Sequence, residues 1–367
     1  MTLTARRPLT YTLPSGELQV AVTGGRRHAH DLFEVGVRQN PRRGFLFVSR
    51  VLGKHLAVSP AVAFQSHADL AEQLGPLDHD TLFIGLSETA TALGRGVFEA
   101  HQAQHPHARG ALFITTTRYR QPGTDALTFE EAHSHATTQW LHVPSSPVKR
   151  QAFLTARHVV IIDDEQSTGN TTRALLRALK ERLPHLSGAS VVSLTDFSPS
   201  DSWAAAPVPV RRVSLLEGVT QFTPDPTWQP VLPDVRGGAQ PVTLRSGERL
   251  GVWAGEGLPT LDAAPLTVTP GQKIRVLGTG EFMYAPLHLA GLLAAAGADV
   301  TYHASTRSPV VTFGPVRSAL TFPDNYGEGI PNYLYNFIHD PQETVLVCSE
   351  TPAPDLCALT GGLAVTL

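Results

Sequence analysis

Apolar residues come in short bursts through the first two hundred positions, and between the bursts they fall at helical spacing. "TLFIGL" (81–86), "GALFITTTR" (110–118), "HVVIIDD" (158–164) and "ASVVSLTDF" (189–197) are brief apolar runs of strand length. After the first, "SETATALGRGVFEAHQAQ" reads as a loop and then a helix. After the third, "TTRALLRALKERL" sets Leu175, Leu179 and Leu183 four apart with Leu176 beside them, a single helical stripe with the helix opening at Thr172. Strands alternating with helices of this length predict an α/β fold, a mostly parallel sheet flanked by helices. Such sheets hold ligands beyond the carboxyl ends of their strands.

The texture changes at Pro199. Eight prolines fall between Pro199 and Pro241 with little helical period, which predicts a connector carrying a few edge strands. Order returns over 273–310 as strand, loop, helix and strand, so a second α/β domain fills the last third. The expected division is 1–205, a connector over 206–255, and 256–367.

Composition narrows the class. With 42% apolar and 17% charged residues the chain can bury a core, which excludes disorder. A formal charge of −3 argues against nucleic acid as the main partner. No apolar run of roughly eighteen residues occurs and the N-terminus lacks an apolar stretch, so no membrane partner is expected. Cys348 and Cys357 are the only cysteines, which points to a reducing, cytoplasmic setting. Cys348, inside "TVLVCSE", reads as a small buried hydrophobe.

The chemistry concentrates at "VVIIDDEQSTGNTTR" (159–173). Asp163 and Asp164 would reach the ligand crevice at a strand's carboxyl end, where two carboxylates are costly unless they meet cations or hydroxyl donors. Ser167, Thr168, Gly169, Asn170 and Thr171 then front a helix, offering hydroxyls, free backbone N–H groups and the positive end of the dipole. That loop suits a phosphate monoester. A ribose 5-phosphate meets both demands, its phosphate in the loop and its hydroxyls on the aspartates. Two other readings stand beside it: an ordinary acidic strand end with an N-capped helix, and a phosphoacceptor receiver domain using Asp196 as its later acid. Receivers, however, have no use for "STGNT".

The segment resembles the PRPP-binding motif of the type I phosphoribosyltransferases, with four apolar residues, two acidic ones and a small hydroxyl- and glycine-rich loop. It departs from that motif at Glu165 and Gln166, where most members carry apolar residues. The resemblance implies transfer of a 5-phosphoribosyl group from PRPP to a nucleobase-like acceptor, with Mg²⁺ carrying charge on the departing pyrophosphate. Asp163 and Asp164 would hold the ribose hydroxyls and any protein contact to Mg²⁺. Ser87, Glu88 and Thr89 in "FIGLSETATALG", with Arg118 in "TTTRYRQPG", would hold pyrophosphate. "FEEAHSHATTQW" (129–140) would lie in or beside a closing lid. Its His133 and His135, like His28 and His30, read as surface histidines more readily than as a metal pair. "GFLFVSRVLGKHLAVSP" (44–60) would form the hood over the acceptor, to which Arg50, Lys54 and His55 are assigned. A regulator that binds PRPP without turnover stays open, as does a homodimer.

"ASTRSPV" (304–310), with "NPRRGFLFVSRVLGKH", "ETATALG" and "FEEAHSHA", is similar to the two-domain family in which such a transferase is joined to a TRSP domain. That resemblance covers nearly the whole chain and implies a context of tellurium-resistance and stress genes and a nucleoside-like product. Internal echoes go further. "FIGLSETATALG" matches "VLGTGEFMYAPL" (276–287), "FITTTR" matches "YHASTR" (302–307), and "VVIIDDEQSTG" is echoed without its aspartates by "TVLVCSETPAP" (344–354). The expectation is that the TRSP domain is a degenerate second copy of the transferase fold. It would keep an anion or pyrophosphate site at Gly280, Glu281, Thr306, Arg307 and Ser308. Two unrelated α/β domains with similar loops remain the alternative, and unlike strand orders would decide for it.

Overall fold

Alternation along the strands sets the architecture. In the computed structural model, which describes residues 7–40, 43–77, 81–106, 111–130, 138–229, 247–260 and 267–365, the N-terminal runs build one seven-stranded sheet. Across the sheet the strands are Leu9–Leu13, Gly16–Gly25, Val210–Pro224, Gly188–Asp196, His158–Gln166, Thr81–Gly85 and Leu112–Thr115. The last five are mutually parallel. Gly16–Gly25 adds to Val210–Pro224 in the opposite sense and forms an antiparallel hairpin with Leu9–Leu13. Successive residues feed opposite faces. Phe83, Val160 and Ile162 pack with Leu70, Leu74, Leu93, Val97 and Phe98 of the helices Pro60–Leu74 and Thr91–Gln104. Ile84, Val159 and Ile161 pack with Leu175, Leu176 and Leu179 of the helix Asn170–Arg182, and with Phe153 of the helix Pro147–Thr155. Both faces are covered, as a parallel sheet requires.

Two expectations change. The proline-rich stretch is not a connector from residue 206: Val210–Pro224 is an interior strand of the first sheet. The prolines fence it. Pro207 and Pro209 precede it and Pro224 ends it, so the run between them keeps every ladder N–H. The helix after the diacid opens at Asn170 rather than Thr172.

Over the carboxyl ends lies a three-stranded hood. Phe33–Arg38 and Phe45–Ser49 pair antiparallel, and the third strand, Val310–Val311, comes from the C-terminal domain and pairs with Val37 and Arg38. The C-terminal domain has its own parallel sheet, ordered Asp299–Ala304, Lys273–Gly278, Thr344–Cys348 and Leu363–Val365. Numbered by appearance, that spatial order is 2-1-3-4. The five parallel strands of the first sheet run 2-1-3-4-5. In each domain an antiparallel hairpin follows the second strand, Ala126–Glu130 with Thr138–His142 in one and Ala319–Pro323 with Pro331–Tyr335 in the other. The strand orders agree. The helix Tyr284–Ala295 closes the interface through Tyr284 and Leu287, which share a core with Ala63 and Ala92. Cys348 is buried in that core.

Candidate active site

The helices that follow Thr81–Gly85 and His158–Gln166 pack on opposite faces of the sheet, so the loops leaving these adjacent strands part and open a crevice. A cavity of about 220 Å³ occupies it. Asp163, Asp164 and the loop 167–171 line one side, and Ser87, Glu88, Thr89 and Arg118 another.

Asp163 and Asp164 are half-buried. The Asp164 backbone N–H donates to Asp163 Oδ1 at 3.0 Å, which fixes the first carboxylate. Burial, reinforced by the neighbouring Glu165 carboxylate, raises Asp164 to about 6. Beyond the pair, Gly169 takes φ +70 at the N-cap of the helix Asn170–Arg182. A Cβ there would lie 2.8 Å from the Trp203 ring, so glycine is required twice over, by its conformation and by its neighbour. Residues 167–171 line the same cavity, where the first helical turn brings backbone N–H groups that have no partner within the helix ladder.

Glu165 and Gln166 have definite work here. Glu165 accepts a 2.6 Å charged hydrogen bond from Arg43 Nη2, tying the loop to the hood. Gln166 is buried; its Oε1 accepts from Thr172 Oγ1 at 3.1 Å and its carbonyl from Phe197 N at 2.7 Å. Asp196 lies outside the cavity, engaged by Ser198 and Arg212, so no acidic trio of the receiver kind forms.

On the opposite wall the Ser87–Glu88 peptide is cis. Ser87 N donates to Thr116 Oγ1 at 2.8 Å, and Ser87 Oγ to Gln139 Oε1 at 3.0 Å. Gln139 returns a bond to the Ser87 carbonyl at 2.9 Å, so Thr116 and Gln139 hold Ser87 by three hydrogen bonds. Glu88 is buried against Lys54, 2.7 Å away. Burial alone would raise the Glu88 carboxyl, but Lys54, Arg118 and Arg307 outweigh it and hold the group at about 2. The Arg118 backbone N–H donates to Glu281 Oε1 at 2.9 Å while its side chain lines the cavity.

The hood assignments move. Arg50 stands on the surface beside Glu34 at 2.6 Å and does not line the cavity. Lys54 is fully buried and points the other way, donating to the Gly280 carbonyl at 2.8 Å as well as pairing with Glu88. Of the three expected hood residues His55 lines the cavity, beside Arg38, Arg43 and Phe47. The second-domain group divides as well. Thr306, Arg307 and Ser308 line this same cavity rather than one of their own. Gly280 and Glu281 sit behind it, Glu281 accepting from Thr117 Oγ1, Arg118 N and Arg249 Nε. His28 and His30 stack at 5.5 Å, and among the described residues no group of three or more His, Cys, Asp or Glu could hold a metal. His133 and His135 lie outside the described residues. Arg43, Gln139 and Ile330 were not singled out from sequence. Only "NPRRGFLFV", with its paired arginines ahead of an apolar run, carried a signal for Arg43.

Residues 32–219 match the family model described as phosphoribosyl transferase, and residues 255–361 match the one described as the TRSP domain C-terminal to it. No curated protein matches the chain. Among solved structures it is similar to adenine phosphoribosyltransferase from Thermoanaerobacter pseudethanolicus, at 18% identity over 50% of this chain and 95% of that one, with a TM-score of 0.33. It is also similar to orotate phosphoribosyltransferase from Mycobacterium tuberculosis, at 15% identity over 50% of this chain and 89% of that one, with a TM-score of 0.27. The first model spans more than half of the chain and takes in both the diacid loop and the Ser87 loop, and the second begins where the C-terminal domain does. The chain belongs to the phosphoribosyltransferase family, in the form that carries a C-terminal TRSP domain.

Proposed function

We propose that this phosphoribosyltransferase moves the 5-phosphoribosyl group of PRPP onto a nucleobase-like acceptor and releases pyrophosphate. The observation that carries the reading is one cavity shared by the diacid, the hydroxyl-rich helix N-terminus and the Ser87 loop with Arg118. The 5-phosphate is held by the loop at Ser167, Thr168, Gly169, Asn170 and Thr171, where N–H donors and the helix dipole favour an anion. Asp163 and Asp164 accept the ribose hydroxyls. As the bond from the anomeric carbon to the diphosphate breaks, positive charge grows on the sugar beside these carboxylates. The diphosphate departs toward Ser87, Thr89 and Arg118, and an acceptor nitrogen takes its place on the carbon.

Mg²⁺ fits this donor set. The half-buried oxygens of Asp163 and Asp164 are the hard ligands it prefers, and it is commonly held by one or two carboxylates together with substrate phosphates. Bound there, it supplies charge neutralisation on the pyrophosphate. On the hood side, Phe47 and Leu52 offer apolar faces while Arg38 and the Arg43–Glu165 pair offer a polar edge, a combination suited to a small planar heterocycle. The product would enter the stress-linked, nucleoside-like pathway that the family resemblance implies. Pyrophosphate release from PRPP across a panel of purine and pyrimidine bases tests the reading. Release with one class of base, abolished in Asp163→Asn/Asp164→Asn, is expected. Bound PRPP with no release for any base would make the chain a PRPP-binding regulator instead.

A further inference from the structure

The two domains correspond residue for residue at their strand ends. Gly85 pairs with Ile162 on one side and Thr115 on the other; Gly278 pairs with Cys348 and Ala304. Counting forward from those registers sets Thr116 against Ser305, Thr117 against Thr306 and Arg118 against Arg307. The hydrogen bonds repeat. Thr116 N donates to Gly85 O at 2.9 Å and Ser305 N to Gly278 O at 3.0 Å. Ser87 N donates to Thr116 Oγ1, and Gly280 N to Ser305 Oγ at 3.2 Å. Thr117 exchanges both backbone bonds with Trp140, and Thr306 does so with Tyr333. Each threonine hydroxyl then accepts from the backbone two residues on, at 3.1 Å in both domains. Arg307 is thus the counterpart of Arg118 in a second copy of the same strand-end device.

Among the described residues, the matching strand end of the second copy is closed by an ion pair. Its residue matching Asp164 is Glu350, two beyond Cys348, and Glu350 is buried under both 2.8 Å bonds from Arg249 Nη1 and a 2.9 Å bond from Tyr326. Arg249 also bonds Glu281, so its guanidinium fills the place where a ligand would sit. The strand end carrying Arg307 opens instead into the transferase cavity, facing Ser87, Glu88 and Arg118. Its nearest anion is Glu328 at 3.4 Å, and its one hydrogen bond among the described residues, to the Tyr119 hydroxyl, is 3.5 Å long. The guanidinium lies 5.7 Å over the Tyr119 ring, which holds the side chain where the residue lines the cavity. A nearly buried arginine with long contacts and a planar fork is suited to bidentate phosphate oxygens.

We propose that Arg307, supplied by the C-terminal domain, binds the diphosphate of the substrate opposite Arg118, so that the TRSP domain forms the second wall of a single transferase site. This rests on the transferase reading. The test uses the full chain and two probes, inorganic pyrophosphate with Mg²⁺ and ribose 5-phosphate, titrated calorimetrically into wild type, Arg307→Ala and Arg307→Lys. Arg307→Ala is expected to weaken pyrophosphate about tenfold or more and to leave ribose 5-phosphate within about twofold. Arg307→Lys keeps the charge without the fork and should fall between; it decides alone if the alanine variant does not fold. Unchanged pyrophosphate affinity, or equal loss for both probes, would overturn the role of Arg307 and leave the transferase reading standing. A wild type that binds neither probe would overturn both.

Discussion

Burial in the pocket raises the pKa of Asp164, and the shift has consequences of known sign. The folded chain holds its proton up to about 6, whereas an ordinary aspartate gives it up near 3.8. Below the lower value both states are neutral there; between the two only the unfolded chain is ionised, which costs the folded state stability. Asp164→Asn does not titrate, so it should gain stability relative to wild type as pH rises from 4 to 6, with the difference level above that. Urea unfolding at pH 4, 5, 6 and 7 measures it, and a difference that does not vary with pH would contradict the assignment. The diacid was legible because its pattern is local: apolar run, carboxylates and loop are contiguous. The bond from Arg43 to Glu165 was not, since it joins residues 122 apart. Nor was the direction of Lys54, whose buried partners are Glu88 and Gly280.

At the scale of elements, short apolar runs gave the parallel strands with small boundary shifts, because burial on both faces leaves little polar residue to confuse the period. Val210–Pro224 is not legible as an interior strand because its fences, Pro207, Pro209 and Pro224, dominate the local composition. The hood depends on a loop no pattern marks. Residues 51–58 press against the C-terminal domain, with Val58 and Tyr302 exchanging backbone bonds at 2.8 and 2.9 Å and Ala304 N donating to Gly53 O at 2.7 Å. Gly53 has φ +72, and a Cβ would stand 2.5 Å from the Tyr302 ring. Gly53→Ala should therefore cost about 1–3 kcal/mol for the backbone alone, and more for the clash. A fall in the urea midpoint of the full chain checks this; an unchanged midpoint would mean that the loop does not bear on the interface.

For the whole molecule, the internal echoes read from sequence proved topological as well: the two sheets share strand order and hairpin placement. The separate anion site expected in the second domain was not legible as what it became. Where each strand end points depends on how the domains dock, and on Arg249, a residue between them that closes one crevice and leaves the other open. One PRPP site per chain is therefore expected. Calorimetric titration of PRPP with Mg²⁺ into wild type and Asp163→Asn/Asp164→Asn tests the central claim most directly. The expected result is one PRPP per chain, with affinity reduced about tenfold or more in the double variant as charged acceptors for the ribose hydroxyls are lost. Equal affinity in the two proteins, or no binding to wild type, would contradict it.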